Sequence, residues 1–194
     1  MAEQTRDRVA GILACLAGLC WFAWAVINIT SDHLLDRAAS GSSAAAMNNL
    51  LTAGWNLLLI PAALRLYSHF RNSHPKMLLG ATIAGVTSLT LWAAGAFTHI
   101  SHNLETVYLV LGAVWLLGLG FSAVQNSRAF GYFTLLVGAI TTLDAIFNLF
   151  EPIPFEVYLL AAPKLPLSAL WSLVVGVFLI RRSIDVTSSH HPCI

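Results

Sequence analysis

The sequence predicts an all-α integral membrane protein with six transmembrane helices, and three observations carry that expectation. Of 194 residues, 57% are hydrophobic and 10% are charged, against roughly 25% charged in an average soluble domain. Six apolar stretches reach the length of about 20 residues that a hydrocarbon core about 30 Å thick demands of a helix. They fall near residues 9–29, 47–66, 77–97, 104–124, 130–150 and 155–180, and the short connections between them make residues 1–194 a single polytopic domain.

The first stretch follows Arg6 and Arg8 and contains Ala23, Trp24 and Ala25, the A-x-A outline of a signal-peptide cleavage site. Apolar residues continue past Ala25, and Trp21 and Trp24 crowd the cut, so this segment is expected to stay in the chain. Pro61 interrupts the second stretch near its basic end. The third and fourth are joined through "HISHNLE", residues His99 to Glu105, where Asn103 is expected to cap the fourth helix and Glu105 to favour its N-terminal dipole. The sixth is preceded by "EPIPFEVYLLAAPKLP", with four prolines. A helix starting at Pro166 would be too short to span, so the expectation is a helix that begins near Glu156 and bends at Pro163 and Pro166.

Lysine and arginine concentrate in cytoplasmic loops, which makes their distribution a test of orientation. Arg6, Arg8, Arg65, Arg71, Lys76, Arg128, Arg181 and Arg182 fall on one side of the six spans, and only Arg37 and Lys164 on the other. A cell-membrane protein with both termini cytoplasmic is expected. Lys164, on the sparse side, either snorkels outward or answers a carboxylate.

A pattern L-x-A-x-W-x-L recurs as "LTAGWNL", "LGAVWLL" and "LSALWSL" in the second, fourth and sixth stretches, taking three of the six tryptophans. Three successive hairpins would produce it, with Gly95, Gly112, Gly118, Gly120, Gly138 and Gly176 letting backbones approach closely.

Polar residues recur at helical spacing in the outer half of four helices: Thr141, Asp144, Asn148 and Glu151; Ser88, Trp92, Gly95, His99 and His102; Trp21, Trp24, Asn28 and Asp32; Asn49, Thr52 and Asn56. An unsatisfied polar group facing lipid costs several kcal/mol, so these stripes are expected to face one another. They outline an outward-facing pocket lined by Asn28, Asn56, Trp92, His99, Asp144 and Asn148. Asp144 is its central member, because an intramembrane carboxylate is neutral, paired or facing water, and is the candidate catalytic group if the pocket is reactive.

Binding or transport of a small amphiphile, lipid or cation is the function this pocket suits best. An enzyme acting on a lipid-like substrate is the alternative, either through acid catalysis by Asp144 or through a metal held by His33, His99, His102 and Glu105. The metal version is not expected, because His99 and His102 are three apart whereas helical zinc histidines lie four apart. In being small, helical and aromatic-rich the chain resembles integral-membrane terpene cyclases, a likeness of overall character that carries over no residue. An accessory subunit of a membrane complex is a further alternative. Cys15, Cys20 and Cys193 form no C-x-x-C pair, so neither a disulfide framework nor a cofactor is expected. A formal charge of +1 without a dense basic patch excludes nucleic acid. Membrane lipid, a small-molecule ligand and a second copy of the chain in a homo-oligomer are the partners the reading allows.

Overall fold

In the structure, a computed structural model, residues 2–34, 42–98, 102–149 and 164–188 are described, and within these the side chains of 2, 28–34, 42–45, 102–103 and 185–188 are not. The described chain is all helical: α1 (Ala2–Leu34), α2 (Ser42–Phe70), α3 (Pro75–Gly95), α4 (His102–Val124), α5 (Arg128–Leu149) and α6 (Lys164–Ser188). Each is long and apolar enough to cross a membrane, the property of a multi-pass membrane protein.

Several ends differ from expectation. Helix α1 has 33 residues, about 50 Å of helix at 1.5 Å per residue, and continues beyond both ends of its apolar stretch. Helix α4 already begins at His102, so Asn103 lies inside its first turn rather than ahead of it. Helix α6 begins at Lys164 and runs 25 residues to Ser188. It continues past Ile180, the end of its apolar stretch, while the start expected near Glu156 lies outside the described residues. Pro166 sits in its first turn, where a missing N–H has no intrahelical partner to lose; the bend expected at Pro163 lies outside the described residues. Pro75 opens α3 in the same manner.

Contacts between helix ends define an antiparallel arrangement. The start of α1 meets the end of α2, where Arg65 Nε donates to Asp7 Oδ1 at 2.5 Å. The turn before α3 meets the end of α4, with Asn126 Nδ2 donating to Ser73 Oγ at 3.0 Å. Helix α1 packs along α2 and most extensively along α6, and α4 packs along α3 and α5, whereas α5 and α6 meet over a much shorter length. Small residues explain the tightest pairs: a Cβ on Gly11 would lie 2.7 Å from the Gly176 carbonyl oxygen, and one on Gly118 would lie 2.6 Å from Ala81 Cβ. Expected close approaches at Gly118, Gly120, Gly138 and Gly176 are seen.

The core runs along the bundle axis and includes Trp21, Trp55, Leu59, Trp115, Leu119, Phe130, Trp171 and Val175. Tryptophan commonly lines the membrane interface, yet none of the six here is exposed. Three of their N–H groups tie helices together: Trp21 Nε1 to the Leu165 carbonyl at 3.0 Å, Trp55 Nε1 to Ser172 Oγ at 3.2 Å, and Trp171 Nε1 to Thr134 Oγ1 at 3.1 Å. Most hydroxyls are satisfied differently, by the carbonyl four residues back in their own helix, as at Thr82, Ser122, Thr134, Thr141 and Ser172.

At the basic end of the bundle Asp7 is 5% exposed. Besides Arg65, it faces His69 Nε2 at 3.3 Å, an ion-pair distance without hydrogen-bond alignment. Arg65 also reaches Glu3 at 3.3 Å, but the Glu3 side chain is 79% exposed. Removing one partner of a buried pair strands the other charge, whereas an exposed pair contributes little. Asp7→Asn should therefore lower the unfolding free energy in detergent by about 3 kcal/mol, and Glu3→Gln by less than about 1 kcal/mol. Thermal unfolding of the two variants side by side checks this; equal losses would contradict the assignment.

Candidate functional site

At the opposite end of the bundle the last turns of α3 and α5 meet the first turns of α4 and α6. Asp144 projects from α5 about one and a half turns before Leu149, and Lys164 is the first residue of α6. The Lys164 ammonium donates to Asp144 Oδ2. The Lys164 side chain is 12% exposed and that of Asp144 18%, so the pair is shielded but not sealed. A cation at a helix N-terminus is opposed by the helix dipole, and its position therefore requires other partners. Asp144 is one. The other is Trp92 of α3, whose ring centroid lies 5.2 Å from Lys164 Nζ, inside the range of about 6 Å for cation–π attraction.

Trp92 belongs to an aromatic cluster that spans four helices. It stacks on Tyr108 of α4 with centroids 4.7 Å apart. Trp21 of α1 and Trp55 of α2 present their rings edge-on to it at 6.2 and 5.7 Å. Trp21 in turn stacks on Trp24 at 4.5 Å and on Trp55 at 4.4 Å. The backbone is anchored beneath the cluster, because Ser88, one turn before Trp92, donates to the Tyr108 carbonyl at 2.7 Å. Glu105 stands exposed in the first turn of α4, one turn before Tyr108.

Of the expected pocket residues, Trp92 and Asp144 are brought together, through Lys164. Asn148 follows Asp144 by one turn on the same face and is partly buried. Asn56 is wholly buried; its Nδ2 donates to the Thr52 carbonyl at 2.7 Å, while its Oδ1 and Trp115 Nε1 have no hydrogen-bond partner among the described residues. The polar stripe on α2 is thus partly satisfied within its own helix rather than by a facing stripe. The side chain of Asn28 and all of His99 lie outside the described residues. So do the side chains of His33 and His102, leaving Glu105 as the described member of the weak metal set. Among the described residues no group of three His, Cys, Asp or Glu side chains is placed to hold a metal ion.

Sequence reasoning did not select Tyr108 or Trp55 for the site, placed Trp21 and Trp24 only in the α1 stripe, and left the carboxylate answering Lys164 unnamed. The available signal was Lys164 itself, a basic residue isolated on the side where carboxylates collect. Comparison with family models, with curated proteins and with solved structures finds no match, so the geometry alone carries the functional reading.

The Asp144–Lys164 pair has a clear energetic signature. Asp144→Asn or Lys164→Met alone leaves one shielded charge without its partner and should cost about 3 kcal/mol. The double variant should cost less than the sum of the two single losses, giving a coupling energy above about 1 kcal/mol in a double-mutant cycle. Additive losses in detergent melting would show that the two side chains do not interact.

Proposed function

We propose that this is a multi-pass protein of the cell membrane with both termini cytoplasmic, and that the outer half of its bundle binds or transports a small amphiphile. The single observation that carries the binding reading is the Asp144–Lys164 pair set against Trp92 and its aromatic neighbours. A charged group at the edge of an extended apolar wall is complementary to a molecule with a polar head and a hydrocarbon body. Pairing with Lys164 holds Asp144 as a partnered carboxylate rather than a lone acid, which favours recognition over acid catalysis. Toward the basic end the axis is filled by Trp115, Trp171, Leu119 and Val175, so binding has more direct support than passage. The recurrence of buried tryptophan at Trp55, Trp115 and Trp171 supports a repeated hairpin origin, although α5 and α6 share little contact.

The orientation rests on the eight basic residues at one end of the bundle. Asn126→Cys lies at that end and Thr98→Cys at the other, both at exposed positions. In a background without the native cysteines, an impermeant thiol reagent added to intact cells should modify the residue at 98 and spare that at 126. The opposite labelling would reverse the topology.

Binding is tested by photo-crosslinking the purified chain with diazirine-bearing alkyl amphiphiles that carry cationic, anionic or uncharged heads. At least one should give adducts concentrated on the segments holding Trp92, Tyr108 and the first turn of α6, reduced at least about fivefold by Asp144→Asn in protein that still melts cooperatively. Labelling spread evenly around the lipid-facing helices by every member of the series would remove the reading.

A further inference from the structure

The geometry points to an ammonium group as the head of the ligand, with Lys164 acting as a tethered occupant of the ligand's own cation site. This rests on the amphiphile reading above and adds the sign of the head group.

Three features converge. First, the groups around Lys164 Nζ, the Asp144 carboxylate and the Trp92 ring, are the two kinds of partner that recognise organic cations: an opposite charge and an aromatic quadrupole. An anion placed there would meet the Trp92 face and Asp144 as repulsive surroundings. Second, the described charged side chains at this end of the bundle are Asp144, Glu105 and Lys164. Among the described residues the local balance is two carboxylates against one ammonium, so the site favours an additional cation. Third, the Trp92 ring is half-buried and stacks on Tyr108, giving the cation site an apolar flank for the first methylenes of an attached chain.

Lys164 is suited to exchange. Its charge sits on a flexible four-carbon stem, it occupies the first turn of its helix where the dipole opposes it, and its side chain retains 12% exposure. A ligand ammonium entering beside Asp144 releases it outward. While Lys164 is seated, the fraction of protein competent to bind is reduced, and apparent affinity falls by that fraction. Removing the lysine charge should therefore strengthen binding of a cationic ligand, the reverse of what happens when a lysine recognises an anion.

The probes are decyltrimethylammonium, decanesulfonate and decanol, each titrated below its own aggregation limit into the full chain held in uncharged alkyl maltoside micelles. Binding is followed by tryptophan emission and by calorimetry. The ammonium should bind at least about tenfold more tightly than the sulfonate, a difference of about 1.4 kcal/mol. Lys164→Gln should tighten the ammonium several-fold, and Asp144→Asn should abolish the preference. A preference for the sulfonate, lost in Lys164→Gln, would overturn the inference while leaving amphiphile binding intact. Equal affinity for all three heads would also overturn it, reducing the charged pair to a structural contact beside an apolar site. Binding of none of the three would remove the amphiphile reading itself. The head-group preference of the unsubstituted chain decides the sign even where a variant fails to fold.

Discussion

A hydrocarbon solvent offers no hydrogen bonds, and that constraint accounts for most of what this bundle does with its polar atoms. Helical backbones satisfy themselves. Hydroxyls fold back on the carbonyl four residues earlier, as Thr82 and Thr141 do, which frees the helix surfaces to pack without specific cross-links. Indole groups cannot fold back in that manner and reach across helices instead. Trp21, Trp55 and Trp171 therefore become the directional ties between α1 and α6, α2 and α6, and α5 and α6. Their bulk fills the axis, and glycine at the tight crossings lets the outer helices close around it.

The same constraint governs the charges, but its two solutions differ in kind. At the basic end Asp7 receives Arg65 and faces His69, two residues one turn apart on the neighbouring helix. Phe178 lies edge-on to His69 at 6.5 Å and stacks on Phe70 and Phe130, so the cluster closes against packed aromatic rings. This has the character of a clamp between α1 and α2. At the other end Asp144 and Lys164 belong to helices with little mutual contact, and the pair is one of the contacts that bring α5 to α6. Its aromatic neighbours come from α1 to α4, and the two charged side chains keep some exposure. A pair placed where helix packing is sparse is easier to open than one placed where it is dense, and this asymmetry is why the proposed recognition is placed at the end that holds Asp144.

Much of the fold was legible because the hydrophobic effect acts on composition directly. Helix number and approximate extents followed from apolar run length, and the gathering of basic residues at one end followed from their spacing along alternating spans. Boundaries were less legible: α1 and α6 continue into polar sequence because backbone hydrogen bonding does not stop where hydropathy falls. Asp144 stood out as an intramembrane acid, and Trp92 as a member of a helical stripe. Lys164 is separated from Asp144 by 20 residues, and no local periodicity relates residues on different helices. The tryptophan cluster was hidden for a related reason, since a stripe shows which residues share a face but not which face of another helix it meets.

What the sequence by itself determined is therefore the set of one-dimensional properties: six apolar spans, their alternation, and which residues share each helix surface. Only the tertiary structure decided the pairings, because these depend on the rotation and depth of each helix relative to its neighbours. Those variables are set by the summed packing of many small contacts, with Gly11 against Gly176 and Gly118 against Ala81 fixing how closely particular helices approach. Asp7 meets Arg65, and Lys164 meets Asp144 over Trp92, as consequences of that packing; each charge was visible in the chain, but its partner was a property of the bundle.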